Sequence, residues 1–430
     1  MRLKYCFSFY KLEKYVLFLA IIAGFFGSAL FPINVGLFHL FPYRIFLIFL
    51  WFMFIIHLLL KPESFSLLFK NSIFNLLFLF IWLFYGTLSL LWSAAISDGI
   101  RDWIFLFMGI STIIFSCFYL RSKKDFHIYF WLWMVAFLIL IFIGFWEIRT
   151  GFHLPVSGYF RETRTWLMYR PTGTFHNPND YATYLVLSIP FALALTSYNS
   201  FLWLKLLGVI IASSGLLLIV ATGSRANILA FFLQGIVFFL FFRSKARIAL
   251  LVCFVLVLGV FWSYDIGSVK DLIGEIISGI ESLRTQYKLG IGSVAVRLNL
   301  IKNGLHFLYS TAGFGVGPGN IEYYMANRAI YDTRGIMNIH NWWFEVLVNY
   351  GIFIFLAYLF FFFGMLRSLW RVWKKSIDRS EKMLSEALFL SLIGFLIGSI
   401  SSSSIMAITA HWLLYAFSVS FIKWAKTGEY

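Results

Sequence analysis

Long apolar runs separated by short polar stretches are the main pattern of this chain. A helix needs roughly 20 apolar residues to cross a hydrocarbon core about 30 Å thick. By that criterion the sequence predicts about twelve membrane-spanning helices, near residues 15–31, 38–60, 73–92, 103–120, 127–148, 181–198, 201–221, 226–242, 247–264, 341–370, 383–400 and 404–422. The first run lacks a small-residue cleavage pattern and further spans follow it, so we interpret it as a retained helix.

The basic residues indicate how these spans are oriented. With the N-terminus inside, 21 of the 35 Lys and Arg residues fall on the inner side, which then holds +14 of the net charge of +16. The positive-inside rule therefore predicts that both termini are cytoplasmic. Contact with anionic lipid headgroups accounts for the remaining basic character. A nucleic-acid partner is not expected.

Composition narrows the class of protein further. Hydrophobic residues make up 61 % of the chain and charged residues 13 %, against about 25 % charged in soluble domains. This excludes a soluble enzyme. The three cysteines, Cys6, Cys117 and Cys253, have no CxxC or Cys/His spacing, so no disulfide frame or zinc site is predicted. We predict an all-α polytopic membrane protein with one integral-membrane domain spanning residues 1–430.

Two segments on the predicted outer side are too long to be simple turns, about 149–180 and 265–340. Long loops often carry function, so candidate site residues are sought there. The second segment has apolar residues at helical spacing and is predicted to form two or three short helices above the membrane. The residues with this spacing are Leu272, Ile276, Ile277, Ile280, Leu283, Val296, Leu300 and Leu305.

The first outer segment ends in the motif RPTGTFHNPND, residues 170–180, directly before an apolar helix. Its prolines and glycine are typical of a turn, and Asn179 or Asp180 is a suitable N-cap. This turn chemistry requires neither Arg170 nor His176. We therefore select these two residues, together with Asn177, as candidate substrate-binding residues.

Arg225 lies at the predicted outer end of an apolar helix, in the sequence TGSRAN. It has two interpretations. It is either an interfacial arginine whose charge reaches the headgroups, or an anion-binding residue, since ionisable groups at a membrane edge are functional hypotheses. Small polar neighbours and the outer position favour the second.

The long outer segment adds Arg297, the glycine-rich run 313–319, and the pair His340-Asn341 before the tenth span. The glycine run reads GFGVGPG and does not match a dinucleotide-binding fingerprint. A sharp chain reversal is the favoured interpretation of it, and a close backbone approach to a bulky group is the alternative. His340 is either a capping or interfacial residue or a general base.

Together these residues suggest a substrate chemistry. Arginine binds two phosphate oxygens at once, histidine removes a hydroxyl proton, and the rings of Tyr323 and Tyr324 can cover apolar sugar faces. The outer segments contain no DxD pair, HExxH motif or acidic cluster of metal-ligand type. We therefore expect a phosphate-bearing lipid donor, a hydroxyl acceptor, and neither a metal nor a cofactor.

The chain resembles the bacterial O-antigen ligase/polymerase superfamily of integral-membrane glycosyltransferases. The resemblance covers nearly the whole chain and rests on the spans, the motif 170–182, Ser224-Arg225-Ala226, Arg297, the glycine run, and His340-Asn341 with Gly351. It implies a fold of the glycosyltransferase C type with the large outer loop between helices 9 and 10. It also implies that Arg225 and Arg297 bind a diphosphate and that His340 is near the acceptor, with Asn341 beside it in the substrate site.

The resemblance implies an undecaprenyl-diphosphate-linked glycan as the donor, used at the outer face of the bacterial inner membrane. Our first hypothesis is a surface-polysaccharide polymerase, which adds the glycan to a sugar hydroxyl of a lipid-linked repeat unit and works with a chain-length regulator. The second is a ligase with a lipid A core or protein acceptor. The third, of another class, is a transporter of lipid-linked sugars, for which Glu386 is the residue of interest.

Overall fold

A computed structural model of the chain describes residues 2–35, 38–242, 293–403 and 405–427. Helices dominate these ranges, and a short antiparallel pair of strands, β1 (Ile33–Val35) and β2 (Phe38–Leu40), follows the first helix. The helices are α1 (Arg2–Phe26), α2 (Pro42–Leu60), α3 (Ser64–Phe69), α4 (Ile73–Ser89), α5 (Ile96–Tyr119), α6 (Lys123–Thr150), α7 (Thr165–Met168), α8 (Pro178–Tyr198), α9 (Leu202–Thr222), α10 (Arg225–Phe241), α11 (Ser293–Ser310), α12 (Ile321–Arg328), α13 (Trp342–Lys375), α14 (Arg379–Gly398) and α15 (Thr409–Thr427).

The all-helical, polytopic membrane architecture predicted from the apolar runs is confirmed. Eight helices within the described ranges are long and apolar enough to cross a membrane, namely α1, α2, α4, α5, α6, α8, α9 and α13. The apolar helix α10 is shorter, at 17 residues. Helix α14 packs against α8 and α10, whereas α15 packs against α5. The predicted ninth span, 247–264, lies outside the described residues, and the total of twelve spans stays a prediction.

Buried aromatic side chains hold the centre of the bundle together. Trp342, at the start of α13, is fully buried and donates its indole N–H to the hydroxyl of Tyr358, 16 residues further along the same helix, at 2.7 Å. The Tyr358 hydroxyl lies 2.5 Å from that of Tyr415 in α15. Because buried aromatic rings with satisfied polar groups pack in specific orientations, these contacts fix where the N-terminal end of α13 emerges.

Helix α13 has a break at Gly351, whose backbone is non-helical (φ 80°, ψ 177°). The glycine run 313–319 satisfies the backbone groups around the break. Val316 N–H donates to Val348 O at 2.9 Å, Gly317 N–H to Asn349 O at 3.0 Å, and Ile352 N–H to Gly313 O at 2.9 Å. A Cβ on Gly351 would lie 2.5 Å from that carbonyl oxygen.

The glycines of the run therefore do more than reverse the chain, which was the favoured interpretation. Four of them have positive φ, as a tight turn requires, but Gly315 also brings backbone against backbone, since its Cβ would lie 2.6 Å from Gly351 N. The glycine run therefore lies close to the backbone of α13 in the same chain. This contact fixes the loop 313–320 between α13 and the N-terminal end of α5.

Helix α11 packs over the start of α13 through a small apolar cluster. Val296 and Leu300 are buried there against Ile339 and Val348, in agreement with the predicted apolar face. Leu305 was predicted to share that face but is 45 % exposed. Five residues advance a helix by about 140° beyond a full turn, so Leu305 points away, and Phe307 takes the buried position instead.

Candidate functional site

A serine-rich segment between α14 and α15, residues 399–403, joins the motifs that the sequence singles out. The carbonyl of Ser399 accepts the backbone N–H of Trp342 at 3.1 Å. Ser403 donates its backbone N–H and its hydroxyl to the carboxylate of Asp180, at 2.9 and 2.7 Å. We call residues 399–403 the serine segment.

The serine segment also binds the beginning of α10. Asn227 is fully buried and donates to the hydroxyls of Ser401 at 3.1 Å and Ser224 at 2.9 Å. Beside it, the hydroxyls of Thr183 and Ser402 lie 2.8 Å apart. The segment thus brings α8, α10 and α13 together at one end of the bundle. This role is not among those predicted from the sequence, although the run of four serines at 401–404 between two apolar helices is a visible signal.

Arg225 is exposed and is the first residue of α10, directly after Ser224. A helix N-terminus favours anions because its first N–H groups are unpaired and its dipole is positive there. Arg170 lies beside it. The Cζ atom of Arg170 is 3.5 Å from the position that a Cβ atom on Gly223 would occupy. The structure therefore brings together two arginines that are 55 positions apart in the sequence.

The two asparagines among the predicted substrate-binding residues are helix caps. Asn177 is the N-cap of α8: its side-chain oxygen accepts Asp180 N–H at 3.0 Å, and its amide donates to Asp180 and to Ser403. This corrects the expected cap, Asn179 or Asp180. Asn341 caps α13 by accepting Trp343 N–H at 3.1 Å. Both side chains hold the site in place, and their contact with substrate stays a prediction. His176 is exposed and lies against Gly158.

A buried carboxylate that the sequence analysis did not select holds the motif 170–180. Glu147, in α6, accepts the backbone N–H groups of Thr172 and Gly173, both at 2.7 Å, and lies 3.0 Å from His153 Nδ1. His153 Nε2 lies 2.8 Å from Met168 O. Burial lowers the pKa of His153, but the hydrogen bond and charge of Glu147 outweigh it and raise the pKa overall. Glu147 and His153 therefore fix the loop that carries Arg170.

His340 lies at the start of α13, next to the serine segment, with a left-handed backbone (φ 49°). Such a conformation is uncommon outside glycine, and residues held in it are enriched at functional sites. Its N–H donates to Asn338 Oδ1 at 2.8 Å. Burial lowers the pKa of His340, the positive charge of Arg297 lowers it further, and a hydrogen bond with the Ser402 backbone and the charge of Glu322 partly oppose them. The imidazole is therefore neutral near pH 7, as a general base must be.

Arg297 is held near His340 because α11 packs on Ile339 through the apolar cluster of Val296 and Leu300. Burial lowers the pKa of Arg297, and arginine stays charged at any physiological pH. Arg297 is therefore close enough for its charge to act on His340. Arg225 and Arg170 lie near the beginning of α10, which contacts the serine segment through Ser224 and Ser401.

The two predicted sugar-contacting tyrosines differ in exposure. Tyr323 is 37 % exposed, whereas Tyr324 is 6 % exposed and packs on Phe307 with the guanidinium of Arg328 over its ring. Only Tyr323 offers an open ring face in this conformation. Among the residues that the structure describes, no group of three or more His, Cys, Asp or Glu side chains has the arrangement of a metal site. Independence from metal ions stays a prediction for experiment.

These features define a polytopic membrane protein with an arginine- and histidine-lined region at one end of its helix bundle. The family model for O-antigen ligase matches residues 207–359, a range that includes Arg225, Arg297 and His340. Over 413 residues the chain is 30 % identical to the teichuronic acid biosynthesis protein TuaE of Bacillus subtilis (strain 168). The aligned region covers 95 % of this chain and 84 % of that protein. The chain belongs to the O-antigen ligase/polymerase superfamily, and the resemblance drawn from its motifs is confirmed.

Proposed function

We propose that this protein is a surface-polysaccharide polymerase of the bacterial inner membrane. It transfers a glycan from undecaprenyl diphosphate to a sugar hydroxyl of a lipid-linked repeat unit on the outer face. Family membership and the similarity to a teichuronic acid biosynthesis protein support the general role. The observation that carries the proposal is that His340 lies near both Arg297 and Ser402, while the serine segment also contacts the beginning of α10, where Arg225 and Arg170 lie.

In this proposal the arginines bind the diphosphate of the donor. Arg225 adds a guanidinium to the N-terminal end of α10, so that side chain, backbone N–H groups and helix dipole all favour an anion at the same place. When the bond between the anomeric carbon and the diphosphate oxygen breaks, its electron pair leaves with the diphosphate. Arginines placed beforehand stabilise that charge without further reorganisation.

His340 accepts the proton of the attacking hydroxyl as its oxygen bonds to the anomeric carbon. Its lowered pKa supports this role because the ring is already neutral when the acceptor arrives. The proton ends on the imidazole, and the negative charge ends on the diphosphate near Arg225 and Arg297. Separate groups thus handle the two charges that develop in the reaction.

Product analysis tests the proposal and separates it from the ligase alternative. Purified protein is given a synthetic undecaprenyl-diphosphate-linked repeat unit as both donor and acceptor, with and without EDTA. A polymerase yields a ladder of lipid-linked products in both conditions. Transfer only to an added lipid A core or protein acceptor supports the ligase instead. Loss of turnover in EDTA contradicts a metal-independent reaction.

The proposed sidedness has its own test. Reporter fusions after Arg334, in the segment before α13, and after Tyr430 are expected to report opposite sides of the membrane. The fusion after Tyr430 should be cytoplasmic. If both reporters give the same side, the orientation derived from the basic residues is wrong.

A further inference from the structure

A cavity of about 310 Å³ opens beside His340, on the side facing α5. It lies between the N-terminal end of α5, the residues after the glycine run, and the start of α13. Acidic and amide side chains dominate its polar lining: Asp98, Asp102, Glu322, Glu345, Asn338 and Asn349. Among the described residues that line it there is one cation, Arg101, and its guanidinium is paired with Asp98 at 3.1 Å.

One lining side chain indicates that the cavity receives a hydrogen-bond donor. Asn349 is 2 % exposed, and its side-chain oxygen has no hydrogen-bond partner among residues 2–35, 38–242, 293–403 and 405–427. Buried polar groups are nearly always satisfied, and each exception needs an explanation such as a missing ligand. An amide oxygen accepts but does not donate. The missing partner is therefore an O–H or N–H group.

The cavity adjoins His340 through Asn338. The side-chain oxygen of Asn338 accepts His340 N–H at 2.8 Å, and its amide nitrogen donates to Glu322 Oε1 at 3.1 Å. Asn338 and Ile339 both line the cavity. A ligand bound there is next to the proposed base, in a cavity whose lining does not include Arg170, Arg225 or Arg297.

We propose that this cavity binds the acceptor sugar as a neutral, hydroxyl-rich ring. The inference rests on the proposed function. Carboxylates and amide oxygens accept hydrogen bonds from sugar hydroxyls, and bonds to charged acceptors contribute about 1.5 to 3 kcal/mol each. The same carboxylates repel phosphate and uronate groups. The cavity volume is at the lower end of ligand pockets, which span about 300 to 1,000 Å³, so it suits the terminal ring of a glycan.

Equilibrium binding of small probes tests the inference without any turnover. Full-length protein in lipid nanodiscs is titrated with methyl β-D-glucopyranoside, methyl N-acetyl-β-D-galactosaminide and methyl β-D-glucuronide, and separately with undecaprenyl diphosphate. At least one neutral glycoside is expected to bind at least tenfold more tightly than the glucuronide. Asn349→Leu and Glu322→Gln should each weaken that binding about fivefold or more, and should leave undecaprenyl diphosphate binding within twofold.

Two variants keep the test interpretable. Glu322 is exposed at the rim, so Glu322→Gln is informative even if Asn349→Leu fails to fold. Glu162→Gln removes an acid from the loop 149–180, outside the cavity, and should leave glycoside binding unchanged. Equal binding of the glucuronide, or unchanged glycoside binding in both cavity variants, overturns the inference. So does a loss of diphosphate binding in those variants, which would assign the cavity to the donor.

The outcome is separable from that of the proposed function. A protein that binds neutral glycosides as expected, but forms no polymer from lipid-linked repeat units, contradicts the polymerase and keeps the sugar site. A protein that forms polymer while its cavity variants bind and transfer normally keeps the polymerase and contradicts the sugar site.

Discussion

His340 lies near two sets of residues with opposite charge, which we call the arginine side and the acidic side. The arginine side comprises Arg170 and Arg225 near the N-terminal end of α10 and Arg297 on the separate helix α11. The acidic side is the cavity lining, with four carboxyl groups and one paired arginine. Burial is the main cause of the lowered pKa of His340, and both sides contribute to it, since Arg297 lowers the pKa and Glu322 raises it.

This separation matters for a transferase whose proposed substrates both carry lipid-linked glycans. A diphosphate is repelled by the acidic side, and hydroxyls find their best acceptors there. The two kinds of charge thus distinguish the proposed diphosphate site of the donor from the proposed sugar site of the acceptor. His340 lies near both, where a base must accept the proton of the acceptor hydroxyl.

The largest effect is expected from His340→Ala, because it removes the group between the two sides. Loss of a general base typically reduces a rate by about 10² to 10⁴. The turnover number of the purified enzyme should fall by that factor, while the affinity for undecaprenyl diphosphate stays within threefold. Lost diphosphate binding with normal turnover at saturation would place the histidine in the diphosphate site instead.

Arg225→Lys tests the arginine side. Lysine keeps the charge but cannot bind two phosphate oxygens through a planar fork, and one lost charge-assisted hydrogen bond costs about 1.5 to 3 kcal/mol. Transfer should fall about tenfold to a hundredfold at normal membrane abundance. The control is Arg334→Lys, an exposed arginine in the loop before α13, which should keep the wild-type rate. A near wild-type rate for Arg225→Lys would favour the interfacial interpretation.

Gly351→Ala is expected to disturb the acidic side through the glycine run. The backbone at Gly351 is left-handed, and a Cβ would lie 2.5 Å from Gly313 O, so destabilisation of about 2 kcal/mol or more follows. Gly364, in the same helix, has open space around its Cβ position. Gly364→Ala should therefore stabilise the helix by up to about 1 kcal/mol. Thermal unfolding in detergent measures both, and equal midpoints would contradict the tight contact.

The smallest effect is a shift in pH dependence. The reaction needs neutral His340, so kcat/KM should be constant near pH 7 and fall only below the ordinary histidine pKa of about 6.5. Glu322→Gln removes an anion that raises the pKa, and should move the acid limb to lower pH. Arg297→Gln removes a cation that lowers it, and should move the limb to higher pH. Shifts in the same direction for both variants would show that His340 is not placed between these charges.

The apolar periodicity was sufficient to predict most of the helices. Predicted spans such as 73–92 and 201–221 agree with α4 and α9 within a few residues, because a membrane-spanning helix must satisfy its backbone internally and needs a run of apolar residues. The sequence also indicated arginines for binding a diphosphate and a histidine for removing a hydroxyl proton, since few other side chains can do either. Leu305 is an exception, because a position five residues after Leu300 is turned about 140° away from the buried face of α11.

Tertiary structure decided what these residues contact. Asn227, Asp180 and Trp342 are far apart in the chain, and only folding brings them to the serine segment through hydrogen bonds that no local pattern encodes. The acidic cavity is likewise assembled from α5, α12 and α13. Sequence determines which helices cross the membrane, because crossing depends on whether one contiguous run of residues is apolar enough to lie in lipid. Which polar ends meet depends on how the helices pack, and this packing brought both Arg297 and the carboxylate of Glu322 near His340.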